Sequence, residues 1–292
     1  MLSFNQYVRP QSLEEAYTLS QKKSNVVLGG MLWLKMQNGN KGTAIDLCEL
    51  GLDQIEETPE EYRIGAMVSL RALETHKGLN QFTDGAMAES VKHIVGVQFR
   101  NVATVGGSIY GRFGFSDVLT LFIALDAKVE LYHAGVMSVK EFAEFPRKTR
   151  DILVRLLVPK AERRTVYLSM RNISTDFPVL TCAISGQNND YQCIIGARPM
   201  KATLFEDEKG LLLEGITEQS AAAFAKDIAS RAGFGSNLRG GADYRKRLCE
   251  TLVRRGLLSL GAMDIPNHEG GAGFSRRAGD GDYDHTPWQN SD

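Results

Sequence analysis

The chain has 292 residues, 43% hydrophobic and 24% charged, an ordinary globular composition with enough apolar sequence for a full core. At about 150 residues per domain it has room for two. Its 34 Lys and Arg offset 35 Asp and Glu, a formal charge of −1, so the basic excess of a general nucleic-acid binder is absent. No run approaches the roughly 18 apolar residues of a membrane span. Met1-Leu2-Ser3-Phe4-Asn5-Gln6 lacks the charged-then-apolar layout of a secretory signal. Cys48, Cys182, Cys193 and Cys249 are scattered without a Cys-x-x-Cys, which removes the usual zinc and iron–sulfur spacings and any disulfide framework. A reducing, cytoplasmic setting is expected, with the thiols acting as small core residues.

Residues 12–22 read as a helix. Ser12 stands at the N-cap, Glu15 follows three residues on as in a capping box, and Leu13, Ala16, Tyr17 and Leu19 form an apolar stripe. A short strand, 25–28, stops at Gly29-Gly30, and 43–47 reads as another, giving the first 55 or so residues a β-α-β character. Residues 62–66 read as a strand and 85–94 as a helix. A glycine-rich loop is expected at Thr104-Val105-Gly106-Gly107-Ser108. Ser116 can cap a buried helix over 118–125, a stretch without a charge. Lys128-Val129-Glu130-Leu131-Tyr132 alternates as a strand, Ser138 and Glu141 suggest a second capping box, and 151–158 is a strand ended by Pro159.

The polar run 160–164 marks a boundary. Beyond it lie strands at 165–170, 178–185 and 191–197, the last two joined as a hairpin by 186–190, and then helices near 217–232 and 241–260. Strands followed by helices without regular alternation argue for an α+β class rather than a doubly wound sheet. The division expected is 1–160 (two subdomains, about 1–55 and 56–160), 161–261, and a glycine- and acid-rich tail over 262–292. That tail has too few apolar anchors to order by itself.

Several kinds of site are missing. There is no phosphate-binding loop of the G-x-x-x-x-G-K-S/T type, no G-x-G-x-x-G opening a helix after the first strand, and no Gly-x-Ser-x-Gly elbow. His76, His93, His133, His268 and His285 show no metal-ligand pairing, and Glu14-Glu15, Glu56-Glu57 and Glu60-Glu61 read as solvated faces. No metal site and no catalytic acid or base are expected. Two glycine pairs remain, Gly29-Gly30 after a strand and Gly106-Gly107 after Arg100-Asn101. Singly each reads as a tight turn. Together they could approach a diphosphate from two sides, because glycine lets backbone N–H groups come close to an anion.

Val27-Leu28-Gly29-Gly30, then Gln98-Phe99-Arg100-Asn101-Val102-Ala103-Thr104-Val105-Gly106-Gly107-Ser108, then Ser116-Asp117 before Leu125-Asp126-Ala127, resembles the FAD-binding subunit of the molybdenum hydroxylases, the xanthine dehydrogenase family. Ser236-Asn237-Leu238-Arg239-Gly240 and Tyr244-Arg245-Lys246-Arg247 resemble that subunit's closing motif, and the likeness runs through residues 1–260 in order. It implies an α+β fold: an FAD-binding domain of two subdomains, followed by a small C-terminal domain with a three-stranded antiparallel sheet and helices. It also implies a cofactor site. Val26, Val27, Leu28, Gly29, Gly30, Met31, Leu32 and Trp33 would wrap the FAD diphosphate from one side. Thr104, Val105, Gly106, Gly107 and Ser108 would face it from the other. Asp117 would lie near the ADP part, and Leu153 and Ser169 near the flavin ring. Implied partners are a small [2Fe–2S] subunit that supplies electrons, a large molybdopterin-binding subunit where substrate reacts, and NAD or another acceptor, in a heterotrimeric assembly.

Two departures from the pattern stand out. Met31, Leu32 and Trp33 replace small polar residues, removing hydroxyl donors but leaving backbone N–H groups. Ser169 occupies a place where many relatives carry Lys, with Arg171 two residues on. The scattered cysteines argue against the extra [4Fe–4S] cluster of some relatives. The other readings are an assembly subunit of such a complex that binds flavin weakly or not at all, and a self-sufficient flavin oxidoreductase, for which no substrate-binding constellation is found.

Overall fold

The computed structural model describes residues 1–146 and 148–263. The expected tail, 262–292, lies outside them except for Ala262 and Met263, which are helical.

The chain opens with β1 (Leu2–Val8), α1 (Leu13–Ser20), β2 (Val26–Leu28) and β3 (Gly39–Asp46). These strands form a parallel sheet in the order β1-β3-β2. The β-α-β character is present, and its first strand is one that the sequence did not reveal. β1 is exposed along most of its length, so it carries little apolar alternation. Ser12 caps α1 by accepting from the Glu15 N–H at 3.1 Å, while the Glu15 carboxylate reaches the Gln11 N–H at 2.8 Å, one residue before the expected box. Ala16 turns inward onto Ile45 and Leu47, in a small core shared with Ile152 and Val154.

The next stretch begins with β4 (Ile55–Glu57) and β5 (Glu61–Gly65) and continues through α2 (Leu70–Thr75), α3 (Lys77–Phe82), α4 (Ala86–Val91), α5 (Val97–Val102), α6 (Val105–Tyr110) and α7 (Asp117–Ala124). It ends with β6 (Lys128–Leu131), β7 (Gly135–Ser138), α8 (Val139–Glu144) and β8 (Leu153–Pro159). The strands form one antiparallel sheet in the order β4-β5-β8-β6-β7. Every residue of α7 is buried, and Ser116 caps it by accepting from the Leu119 N–H at 3.1 Å. The Ser138–Glu141 capping box forms as expected. The segment 104–108 is not a loop. It is the first turn of α6, with Thr104 as N-cap.

The remainder holds β9 (Arg164–Met170), β10 (Leu180–Gln187), β11 (Asp190–Gly196), β12 (Thr203–Glu206), α9 (Glu218–Arg231) and α10 (Ala242–Met263). The sheet contains the three expected strands and adds the short β12 at its edge, in the antiparallel order β12-β11-β10-β9. Asn188 and Asn189 both take positive φ, which suits the tight turn between β10 and β11. Cys182, Cys193 and Cys249 are buried in this core, while Cys48 is exposed. Arg245 in α10 is fully buried and donates to the carbonyls of Val179, Gly235 and Gly240 and to Asn237 Oδ1. The closing motif, 236–247, is therefore a clamp that fixes its own loop against the start of β10.

Candidate functional site

A cavity of about 650 Å³ is bordered by all three sheet units. That size lies within the range of small-molecule and cofactor sites, roughly 300–1,000 Å³. One wall is the end of β2 and the turn after it. Val26, Val27, Leu28, Gly29, Met31, Leu32 and Trp33 all border the cavity. The second wall is Thr104, Gly106, Gly107 and Ser108 of α6, with Asp117 and Leu153 further along. Three of the expected site residues lie off the cavity lining. Val105 is fully buried in the core. Gly30 turns its Cα toward Val102. Ser169 reaches the site only through Arg171, whose guanidinium donates to its hydroxyl.

The two glycine pairs act differently from a pair of anion-binding turns. A Cβ on Gly30 would lie 2.1 Å from the Val102 carbonyl oxygen, and one on Gly107 would lie 2.9 Å from the Gly29 carbonyl oxygen. The glycines thus let the segments around them touch one another. The N–H groups of the second segment are also committed: Val105 to Val68 O, Gly106 to Ala66 O, Gly107 to Thr104 Oγ1 and Ser108 to Thr104 O. The first segment is the open one. The backbone N–H groups of Met31 and Leu32 meet no acceptor among the described residues. Both residues border the cavity, so their unpaired N–H groups can donate to a ligand's anionic oxygens. Met31 holds φ of 61°, and Val95, which also borders the cavity, holds 52°. The second is a rare state for a β-branched residue, and such strain gathers at ligand sites.

Aromatic rings form part of the cavity wall. Phe177 lies 5.5 Å from Trp33 and 4.4 Å from Phe115, and Phe113 stacks on Phe115 at 5.1 Å. The rings come from the turn after β2, the α6–α7 connection and the β9–β10 connection. Arg239 lies 4.7 Å over Phe177 and pairs with Asp176 at 3.0 Å, which fixes that ring. The phenylalanines are spread over more than sixty residues of sequence, so only the folded chain reveals them as a set. Trp33 borders the cavity and belongs to this cluster.

Asp117 is the most deeply placed acid of the site. Its Oδ1 accepts from Tyr167 Oη and from an Arg171 terminal nitrogen, both at 2.6 Å. Burial raises its pKa, against the pull of Arg171 and of both hydrogen bonds. Burial and the Asp117 charge also push the Tyr167 hydroxyl well above its ordinary range, so Tyr167 stays a neutral donor. Free donors, flat apolar walls and a buried cation make the cavity chemically suited to a dinucleotide with a planar ring. Among the described residues no group of His, Cys, Asp and Glu could hold a metal ion, and no helix is long and apolar enough to cross a membrane.

The chain belongs to the family described as FAD binding domain in molybdopterin dehydrogenase, whose model matches residues 2–161. It is 24% identical over 275 residues to the nicotine 6-hydroxylase medium subunit of Paenarthrobacter nicotinovorans, across 88% of this chain and 97% of that one. It is 25% identical over 253 residues to the uncharacterized protein YgfM of Escherichia coli K12, across 85% of this chain and 93% of that one. Among solved structures, quinoline 2-oxidoreductase from Pseudomonas putida 86 superposes with a TM-score of 0.78 at 20% identity, over 89% of this chain and 97% of its own. Carbon monoxide dehydrogenase from Hydrogenophaga pseudoflava gives 0.77 at 23% identity, over 88% and 97%. At those identities the structural likeness establishes the fold alone.

Proposed function

We propose that this chain is the FAD-carrying electron-transfer subunit of a multi-subunit molybdenum hydroxylase. The carrying observation is the cavity, with the unpaired N–H groups of Met31 and Leu32 on one wall, the first turn of α6 on the other and aromatic rings at one side. In this reading residues 26–33 and 104–108 enclose the FAD diphosphate, Asp117 borders the ADP part, and Leu153 and the Ser169–Arg171 pair border the flavin. The unit over 1–160 carries the cofactor, and 161–261 completes its site.

When bound, the flavin supplies the redox chemistry, and the protein sets its position and electrostatics. Met31 and Leu32 bind through backbone N–H groups. Trp33, Phe113, Phe115 and Phe177 keep water from that side. Tyr167 and Arg171 hold the Asp117 carboxylate in place. No residue of this chain needs to act as acid or base on an organic substrate. Electrons are supplied by a small [2Fe–2S] subunit, the substrate reacts on a large molybdopterin-binding subunit, and NAD or another acceptor takes the electrons away. The names of two relatives, nicotine 6-hydroxylase medium subunit and glyceraldehyde dehydrogenase medium chain, support a multi-subunit setting.

The test is co-purification with the neighbouring subunits, acid release of bound cofactor and its identification. About one FAD per chain is the expected result. A complete complex free of flavin overturns the reading and leaves an assembly role.

A further inference from the structure

We propose that Arg171 is a cofactor-binding residue of this site, giving its Nε–H to an oxygen acceptor of the bound FAD, either on the diphosphate or on a carbonyl of the flavin ring. The inference rests on the FAD reading of the cavity and goes beyond it by naming the Arg171 atom that donates.

Arg171 directly follows β9 and borders the cavity, yet its side chain is only 6% exposed. One terminal nitrogen donates to Ser169 Oγ at 2.7 Å and the other to Asp117 Oδ1 at 2.6 Å. A guanidinium is planar and rigid, so two anchored nitrogens fix the direction of the third. That third nitrogen, Nε, is buried and has no hydrogen-bond partner. Among the described residues, the buried Nε atoms of Arg171 and Arg198 lack a hydrogen-bond partner, and only Arg171 borders the cavity. Buried donors are nearly always satisfied, and this orphan belongs to a side chain that borders a cofactor-sized space, where a ligand acceptor can satisfy it.

The charge balance says what kind of contact this is. Asp117 is buried beside Arg171 and neutralises it as a pair. What Arg171 offers is thus an unpaired N–H more than a net positive charge. Lysine would keep the charge and lose the fork, so it cannot substitute.

The experiment titrates the full chain with FAD, ADP and riboflavin, following flavin fluorescence or heat, for the wild type and three variants. Arg171→Lys keeps the charge. Ser169→Ala removes one anchor. Asp117→Asn combined with Arg171→Met removes both charges, so no buried ion is left unpaired if the single variant misfolds. Circular dichroism checks folding. Arg171→Lys and the double variant are expected to weaken FAD by about 10-fold or more, the equivalent of one hydrogen bond to a charged group. Ser169→Ala is expected to lose less. Loss concentrated on ADP places the acceptor on the diphosphate, and loss concentrated on riboflavin places it on the ring. Folded variants that bind FAD as tightly as wild type overturn the assignment, as does an equal loss on ADP and riboflavin, which would mean a distorted cavity. A wild-type chain that binds none of the three probes refutes the FAD reading itself, and Arg171's role with it.

Discussion

Gly30→Ala should destabilise the chain without any cofactor present, because what Gly30 accommodates is protein. Its φ is +77°, where an L side chain costs about 1–2 kcal/mol. A Cβ there would lie 2.1 Å from the Val102 carbonyl oxygen and 3.0 Å from its carbon. Those are backbone atoms at the end of α5, so no side chain can swing aside. Real Cβ atoms essentially never approach closer than 3.0 Å, so the two segments must part by about 1 Å. Overpacking of this kind costs about 1–3 kcal/mol, for a total of about 2–5 kcal/mol. Gly135→Ala is the control. Its φ is +76° but a Cβ there meets nothing within 4 Å, so only the backbone term applies. Urea denaturation of the flavin-free wild type and both variants separates the terms. The difference between the variants should be about 1–3 kcal/mol, the overpacking contribution. Equal midpoints for the two variants would refute the direct contact between the glycine turn and the α5–α6 corner.

Glu74 accepts from Arg100 at 2.7 Å and pairs with Arg71 at 3.0 Å, in a site where its side chain is 13% exposed. Burial raises its pKa, but the arginine hydrogen bonds outweigh that and hold it below the ordinary 4.5. A depressed folded value means stability present at neutral pH and lost as pH falls from 4.5 through the folded value. Glu74→Gln should cost about 3 kcal/mol at neutral pH, since it strands the buried Arg100, and the difference from wild type should shrink in acid; a pH series of urea midpoints measures both. Tyr167→Phe removes one of two side-chain donors to the buried Asp117 and should cost about 1.5–3 kcal/mol by urea denaturation. Trp33 and Trp288 are the only tryptophans, so in a Trp288→Phe background added FAD should quench the emission of Trp33. Unchanged emission at saturating FAD would count against the aromatic wall lying beside the cofactor.

The features legible in the sequence were those written locally. Ser116 before eight uncharged residues marked α7, and Ser138 with Glu141 marked the start of α8. The hairpin between β10 and β11 was legible through the polar turn 186–190 between two strand-like runs. β1 was hidden because it is a half-exposed edge strand paired only with β3. α6 was hidden because two adjacent glycines argue against a helix. Here they are required by contact with Ala66 and Gly29, and tertiary packing overrides propensity. The short helices α2, α3 and α5 are six residues each, too brief to display a period. For the candidate site, most of the expected positions border one cavity, but how its two glycine segments differ was not legible. Which glycine segment has free N–H groups depends on what Ala66, Val68 and Thr104 do, and the aromatic wall joins residues from three distant connections.

That aromatic wall ties cofactor binding to the cohesion of the chain. Trp33, Phe115 and Phe177 come from segments that flank three different sheets, so the cavity exists only while all three units are packed together. A ligand that binds only this packed state stabilises it by about 2.7 kcal/mol at a hundred times its dissociation constant. Separation of any one unit opens the site, so the linkage opposes each separation as well as global unfolding. The 171–178 connection gains most. It carries Arg171 and Phe177, and its other restraints are a few polar contacts, chiefly the Arg239 pair with Asp176 and the Asn172 bond to the Arg239 carbonyl. Loss of flavin should therefore loosen this connection before it melts the sheets, and protease should cut there first in flavin-free protein.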